Sequence, residues 1–139
     1  MADPRIKMLR RVPLFAACDD KQLTFIVTQV DEVDFPAGRV LCREGDSGGE
    51  FFVLVDGSAR VERKGNVLRD LGPGDFFGEI ALVDHGLRTA TVTVLTPSRC
   101  LVLGPGQFQN VVRQDASIGV AVLQALGARL RAVLDEHPV

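Results

Sequence analysis

Between residues 30 and 103 the chain passes through short segments near 30–35, 39–42, 50–55, 58–63, 67–71, 89–95 and 98–103. Each is rich in Val, Phe, Leu or Thr, and Gly, Pro, Asp or Asn separates it from the next. β-branched and aromatic side chains favour pleated backbone, and the separating residues favour turns. The spacing therefore predicts a mainly β fold. Its middle, about residues 30–104, should be an antiparallel β-roll of the double-stranded, jelly-roll-like kind, closed or nearly so. Glu50-Phe51-Phe52-Val53-Leu54-Val55 is apolar at consecutive positions, so both its faces should be covered. Ala90, Val92 and Val94 alternate with Thr91 and Thr93, as a half-exposed strand would. Gly45-Asp46, Asp56-Gly57-Ser58 and Gly72-Pro73-Gly74-Asp75 read as turns.

The flanks have a different period. Ile6, Met8 and Leu9 predict a short helix stopped before Pro13, with Leu14-Phe15 plugging apolar surface. Asp19 with Gln22 three residues on is a capping-box variant, and Leu23, Ile26, Val27 and Val30 fall on one helical face. The N-terminal helices should occupy about residues 4–29. After Gly104-Pro105-Gly106, a short helix from Gln107 to Arg113 precedes a longer one from about Ala116. Together the C-terminal helices should span about 106–137, with Pro138 fitting an end near His137. Leu123, Leu126, Leu130 and Val133, widened by Val122 and Leu134, form an apolar stripe that needs a cover.

A chain of 139 residues, 46% hydrophobic, is the size of one domain with a real core, so residues 1–139 are read as a single domain. Net charge −2 and the scattered Lys and Arg give no electrostatic support for nucleic-acid binding. No uninterrupted apolar run approaches the roughly 20 residues that span a bilayer, and Met1-Ala2-Asp3-Pro4-Arg5 lacks a signal-peptide core, so a cytoplasmic location without a membrane segment is expected. Cys18, Cys42 and Cys100, odd in number and without C-x-x-C spacing, read as reduced buried thiols.

The chemistry concentrates at residues 76–90. In Phe76-Phe77-Gly78-Glu79-Ile80-Ala81-Leu82-Val83, Gly78 lets backbone approach a ligand closely, and Glu79–Val83 can form one helical turn with outward N–H groups at its start. After the loop Asp84-His85-Gly86-Leu87 comes Arg88, whose guanidinium forks onto two phosphate oxygens. A carboxylate beside a phosphate would repel it, so Glu79 is better placed to accept a hydrogen bond from a neutral hydroxyl such as a ribose 2′-OH. Anion cradle, hydroxyl acceptor and arginine together describe a sugar phosphate.

Phe77-Gly78-Glu79-Ile80-Ala81-Leu82 followed by Arg88-Thr89-Ala90 resembles the signature of the cyclic-nucleotide-binding domain family, F-G-E-[ILT]-[AG]-L and then P-R-[AST]-A. Leu87 replaces the frequent proline, which loosens the loop without removing a contact group. The resemblance covers nearly the whole chain. It implies that Arg88 binds the cyclic phosphate and Glu79 the ribose 2′-OH, with the N–H groups of Gly78, Ile80, Ala81, Thr89 and Ala90 completing the phosphate site. It also implies that Val61 and Leu68 line the base side. By the same resemblance the final helix covers the pocket, with Leu126, Leu130 and Val133 as lid residues and Arg129 or Arg131 as a polar contact to the base. Family members that lose the ligand usually lose the arginine or the glutamate, and both are present.

The expected ligand is cAMP first, with cGMP as its rival, because the Thr89 hydroxyl can reach the 2-amino group that guanine carries. The expected function is a non-enzymatic regulatory sensor whose C-terminal helix moves on binding. Alternatives are a ligand-free β-roll docking module and a cupin-type metal enzyme. The latter is disfavoured because His85 and His137 are the only histidines. No Gly-x-Ser-x-Gly or Walker lysine motif supports nucleophilic or nucleotide-hydrolysing chemistry. No helix-turn-helix, kinase, channel or acetyltransferase region appears before Val139, so output is expected through a separate partner or a fused effector, and Met1 slightly favours an N-terminal piece or a whole protein. A homodimer seam along the C-terminal helix is a further reading of the apolar stripe.

Overall fold

The computed structural model describes residues 3–136, and these fall into two compact units. The first spans Val30–Phe108 and contains the sheet; the second combines residues up to Gln29 with those from Gln109 onward. His137 and Pro138, where the sequence places the end of the last helix, lie outside the described residues.

In the β unit six strands form one antiparallel sheet: β1 (Asp31–Phe35), β2 (Val40–Cys42), β3 (Phe51–Arg63), β4 (Asn66–Leu71), β5 (Phe76–Phe77) and β6 (Thr91–Leu103). The order is β1-β6-β3-β4, with β2 also paired to β6 and β5 to β3. The path is open, with β1 and β4 at its ends, and this corrects the expectation of a closed or nearly closed roll. Two long strands dominate where the sequence predicts four short ones. Asp56-Gly57-Ser58 reads as a turn, yet β3 continues through it and takes up the extra residues as register shifts against β6. Gly57 stands at φ +99°, and a Cβ there would meet Ser98 Oγ at 2.1 Å, so the position bends the strand beneath a close crossing.

The interior of this unit is built from alternate positions. Phe52, Leu54, Ala59 and Val61 from β3 meet Leu71, Phe77, Val92, Cys42 and Cys100. Phe52 stacks on Phe77 at 4.8 Å between centroids and receives Phe35 edge-on at 6.3 Å. Phe51 to Leu54 are all buried, and Val92 and Val94 are buried between less buried threonines, as the sequence pattern requires. A short helix, α3 (Glu79–Asp84), follows β5 directly.

In the helical unit, α1 (Pro4–Arg10), a 3-10 turn (Pro13–Phe15) and α2 (Asp20–Val27) precede the sheet in sequence. Arg10 pairs with Asp20. Leu14 and Phe15 are fully buried, as a plug should be. The capping box is complete: Asp19 Oδ1 accepts from Gln22 N at 2.8 Å, and Gln22 Oε1 accepts from Asp19 N at 2.8 Å. The helix stops at Val27, so Val30 lies outside the face on which its spacing placed it.

α4 (Pro105–Gln114) leads to α5 (Ala116–Glu136). On α5 the buried side chains are Ile118, Ala121, Val122 and Ala125, while Leu123, Leu130, Val133 and Leu134 are more than half exposed. The sequence finds the longer apolar stripe, whereas within this chain the helix buries mainly a shorter one, in its first half, built partly from alanine. By length and mean hydropathy, 1.4 over residues 116–135, α5 could also cross a membrane. Gln124, Arg129 and Arg131 interrupt its apolar residues, so it contains no unbroken apolar run.

Candidate nucleotide-binding site

β5, α3 and the loop running into β6 wall one side of a cavity of about 370 Å³ in the β unit. Its size lies at the small end of the range for small-molecule sites. Ten residues picked out from the sequence line it: Gly78, Glu79, Ile80, Ala81, Arg88, Thr89, Ala90, Phe77, Val61 and Leu68. They reach it from β3, β4, β5, α3 and the turn before β6, so the grouping is a product of the fold. The whole lining belongs to the β unit. Leu126, Arg129 and Leu130 lie on α5 in the helical unit and are not among these residues; Leu126 is half-buried, and Arg129 and Leu130 are exposed.

Gly78 is the N-cap of α3 and sits at φ +90°, in the left-handed region. No side chain caps the helix, which leaves first-turn N–H groups beside the cavity. A Cβ on Gly78 would approach the Glu50 carbonyl oxygen to 2.6 Å and Arg88 Nη1 to 3.0 Å, so glycine is required by conformation and by space alike.

Arg88 is the organising residue. Its side chain is only 5% exposed. Its backbone is clamped by the 43–46 turn, with Arg88 N donating to Asp46 O at 2.8 Å and Gly45 N donating to Arg88 O at 2.9 Å. Nη2 donates to the Glu50 carbonyl at 2.8 Å and lies 3.4 Å from Glu50 Oε2. Nη1 is buried and finds no hydrogen-bond partner among the described residues. A buried donor left unpaired costs roughly 1–3 kcal/mol, and more when it carries charge. An anionic oxygen placed in the cavity would remove that cost.

Sequence reasoning missed four residues of this neighbourhood. Glu50 holds the guanidinium, and its only signal was a charge at the head of an apolar strand. Cys42 lines the cavity and also a second one of about 220 Å³ that Arg88 borders as well. Burial pushes its thiol up to about 11; the Arg88 charge opposes this and the Glu50 charge adds to it. Arg63 and Arg69 line the larger cavity too. Neither carries a signal in the sequence, and the pairing of β3 with β4 is what brings them together.

Residues 32–115 match the family model described as the cyclic nucleotide-binding domain. The chain belongs to this family. Within the family, it is 39% identical over 112 residues to a cyclic nucleotide-gated potassium channel of Mesorhizobium japonicum, a match covering 81% of this chain and 31% of the channel. It is 27% identical over 130 residues to a CRP-like cAMP-activated global transcriptional regulator of Mycobacterium tuberculosis, covering 90% of this chain and 58% of the regulator. The crystal structure of the N-terminal domain of a transcriptional regulator from Streptomyces coelicolor superposes with a TM-score of 0.86 at 36% identity, covering 95% of this chain and 98% of that one. The chain thus spans a little over half of the regulator and under a third of the channel.

Proposed function

We propose that the cavity binds a purine 3′,5′-cyclic nucleotide, cAMP or cGMP, and that the chain is a regulatory sensor rather than an enzyme. One observation carries the reading: a buried guanidinium, fixed by backbone clamps, with one nitrogen unpaired at the cavity. In this reading the cyclic phosphate joins Arg88 and the N–H groups of Gly78, Ile80, Ala81, Thr89 and Ala90. Glu79 accepts from the ribose 2′-OH, and the base lies toward Val61 and Leu68. The relatives named above, a cAMP-activated regulator and a cyclic nucleotide-gated channel, support a ligand-triggered role. Output goes to a separate effector protein or to a fused effector domain in the cytoplasm. Movement of the C-terminal helix is the signal this entails, with Leu126, Arg129 and Leu130 as the residues to probe.

The ligand can shift such a helix only by its differential affinity for the two states. Calorimetric titration of cAMP and of cGMP into nucleotide-free protein tests the site. One-to-one binding by the wild type is expected. Arg88→Ala should lose about 2–5 kcal/mol, roughly thirty-fold to several thousand-fold in affinity, because the phosphate would then be buried without its cation. Wild-type affinity in that variant would refute the assignment.

A further inference from the structure

The residues that follow Arg88 are held from outside the cassette, by the β3–β4 hairpin. β3 ends at Arg63 and β4 begins opposite it at Asn66, so Lys64 and Gly65 alone make the turn. Both stand at positive φ, +51° and +78°, the combination that a two-residue hairpin turn of this kind requires. Lysine rarely takes up that backbone, and such positions persist where their surroundings fix them. Here Lys64 N donates to Glu44 Oε1 at 2.9 Å, while Glu44 N donates to Thr91 Oγ1 at 2.9 Å. Arg63 Nε donates to the Thr89 carbonyl oxygen at 2.8 Å. The hairpin tip thus holds the chain on both sides of Ala90, directly at Thr89 and through Glu44 at Thr91.

Ala90 lines the cavity. Its N–H makes no hydrogen bond among the described residues, because it precedes the terminal rung of the β3–β6 ladder, Glu62 with Thr91. The peptide joining Thr89 to Ala90 is planar and trans, so its C=O and N–H point in opposite directions. A group that fixes the Thr89 carbonyl therefore fixes the line along which the Ala90 N–H points. A guanidinium on that carbonyl also polarises the amide and strengthens it as a donor. Thr89 and Ala90 lie outside every helix and strand, so no ladder sets this peptide in place of Arg63.

We propose that Arg63 is a positioning residue of the nucleotide site: its bond to the Thr89 carbonyl aims the Ala90 N–H at one exocyclic oxygen of the cyclic phosphate. The inference rests on the cyclic-nucleotide reading and goes beyond it by assigning a task to a side chain that acts through another residue. Arg88 supplies the charge, and Arg63 supplies direction. The task belongs to Nε and not to the positive charge, and the two can be separated. Glutamine carries Nε2 on Cδ, the same number of bonds from the backbone, so Arg63→Gln keeps a donor and removes the charge. Methionine is equally long and has no donor.

The test uses whichever of cAMP and cGMP the wild type binds more tightly, together with that nucleotide's two phosphorothioate diastereomers. Each diastereomer carries sulfur, a weaker acceptor, in place of one exocyclic oxygen. All three are titrated calorimetrically into the wild-type chain, Arg63→Gln and Arg63→Met. Arg63 is exposed, so both variants should fold, with urea midpoints as the check. Arg63→Met should bind the parent nucleotide roughly three- to thirty-fold more weakly, part of the worth of one hydrogen bond to a charged oxygen. Its loss should fall on the parent and on the diastereomer that keeps oxygen opposite Ala90, and should spare the other, so the ratio between diastereomers departs from the wild-type value. Arg63→Gln should keep both the affinity and the ratio. Wild-type affinity in Arg63→Met, an equal loss for all three ligands, or a loss in Arg63→Gln as large as in Arg63→Met overturns the inference and leaves the cyclic-nucleotide site standing. Failure of both cAMP and cGMP to bind the folded wild type overturns both.

Discussion

A methyl group added at Gly78 would stand 2.6 Å from a backbone carbonyl oxygen on a chain already at φ +90°. Neither can yield cheaply, because the carbonyl belongs to Glu50 at the head of β3 and also accepts from Arg88 Nη2. Gly78→Ala should therefore cost about 1–3 kcal/mol in urea unfolding. It should weaken nucleotide binding in the same protein, since the added atom also crowds Nη1. The thiols make a second prediction at this scale. Burial raises Cys42 and Cys100 to about 11, so at pH 7 they are overwhelmingly neutral thiols, and the reactive thiolate gains population only as pH rises. Native protein should react slowly with a disulfide reagent at neutral pH, and unfolding in urea should release the full reaction. Rapid labelling of Cys42 in the native protein would contradict its burial.

Among the elements, α2 gives the simplest test of a local signal. Both halves of the Asp19–Gln22 capping box are formed, so Asp19→Ala should destabilise the protein by about 0.5–2 kcal/mol, read as a lower urea midpoint at unchanged slope. The cap was legible because its partners lie three residues apart. The same holds for α3, whose entire geometry follows from Gly78 and the next few residues. Legibility ended where long-range partners decide. Asp56-Gly57-Ser58 carries turn chemistry, yet Ser98 reaches Ser58 N at 3.1 Å and the strand runs on. Arg63 and Glu50 are ordinary charged residues in the sequence, and only bringing the end of β3 to Thr89, or seating Arg88 beneath β3, gives them work. On α5 the spacing identified apolar residues correctly, but the face buried within the chain includes Ala121 and Ala125, which a search for large hydrophobes underweights.

At the scale of the whole molecule, α5 leaves Val120, Leu123, Leu130, Val133 and Leu134 more than half exposed along one helix. So many large apolar side chains on one helix mark an interaction surface, and a second copy of the chain is the proposed occupant. Sedimentation equilibrium should show a dimer, and the Leu123→Glu, Leu130→Glu double variant should be monomeric with its fold unchanged. A monomeric wild type would hand the helix to a different partner. In the β unit, Arg88 lines both cavities, one about 370 Å³ and the other about 220 Å³, and Cys42 lines both as well. The guanidinium thus borders both, and so does the sulfur. Truncating Arg88 should open Cys42 to solvent, while nucleotide seated on the arginine should cover it further. The rate at which that one sulfur is labelled becomes a built-in gauge of whether the arginine is in place.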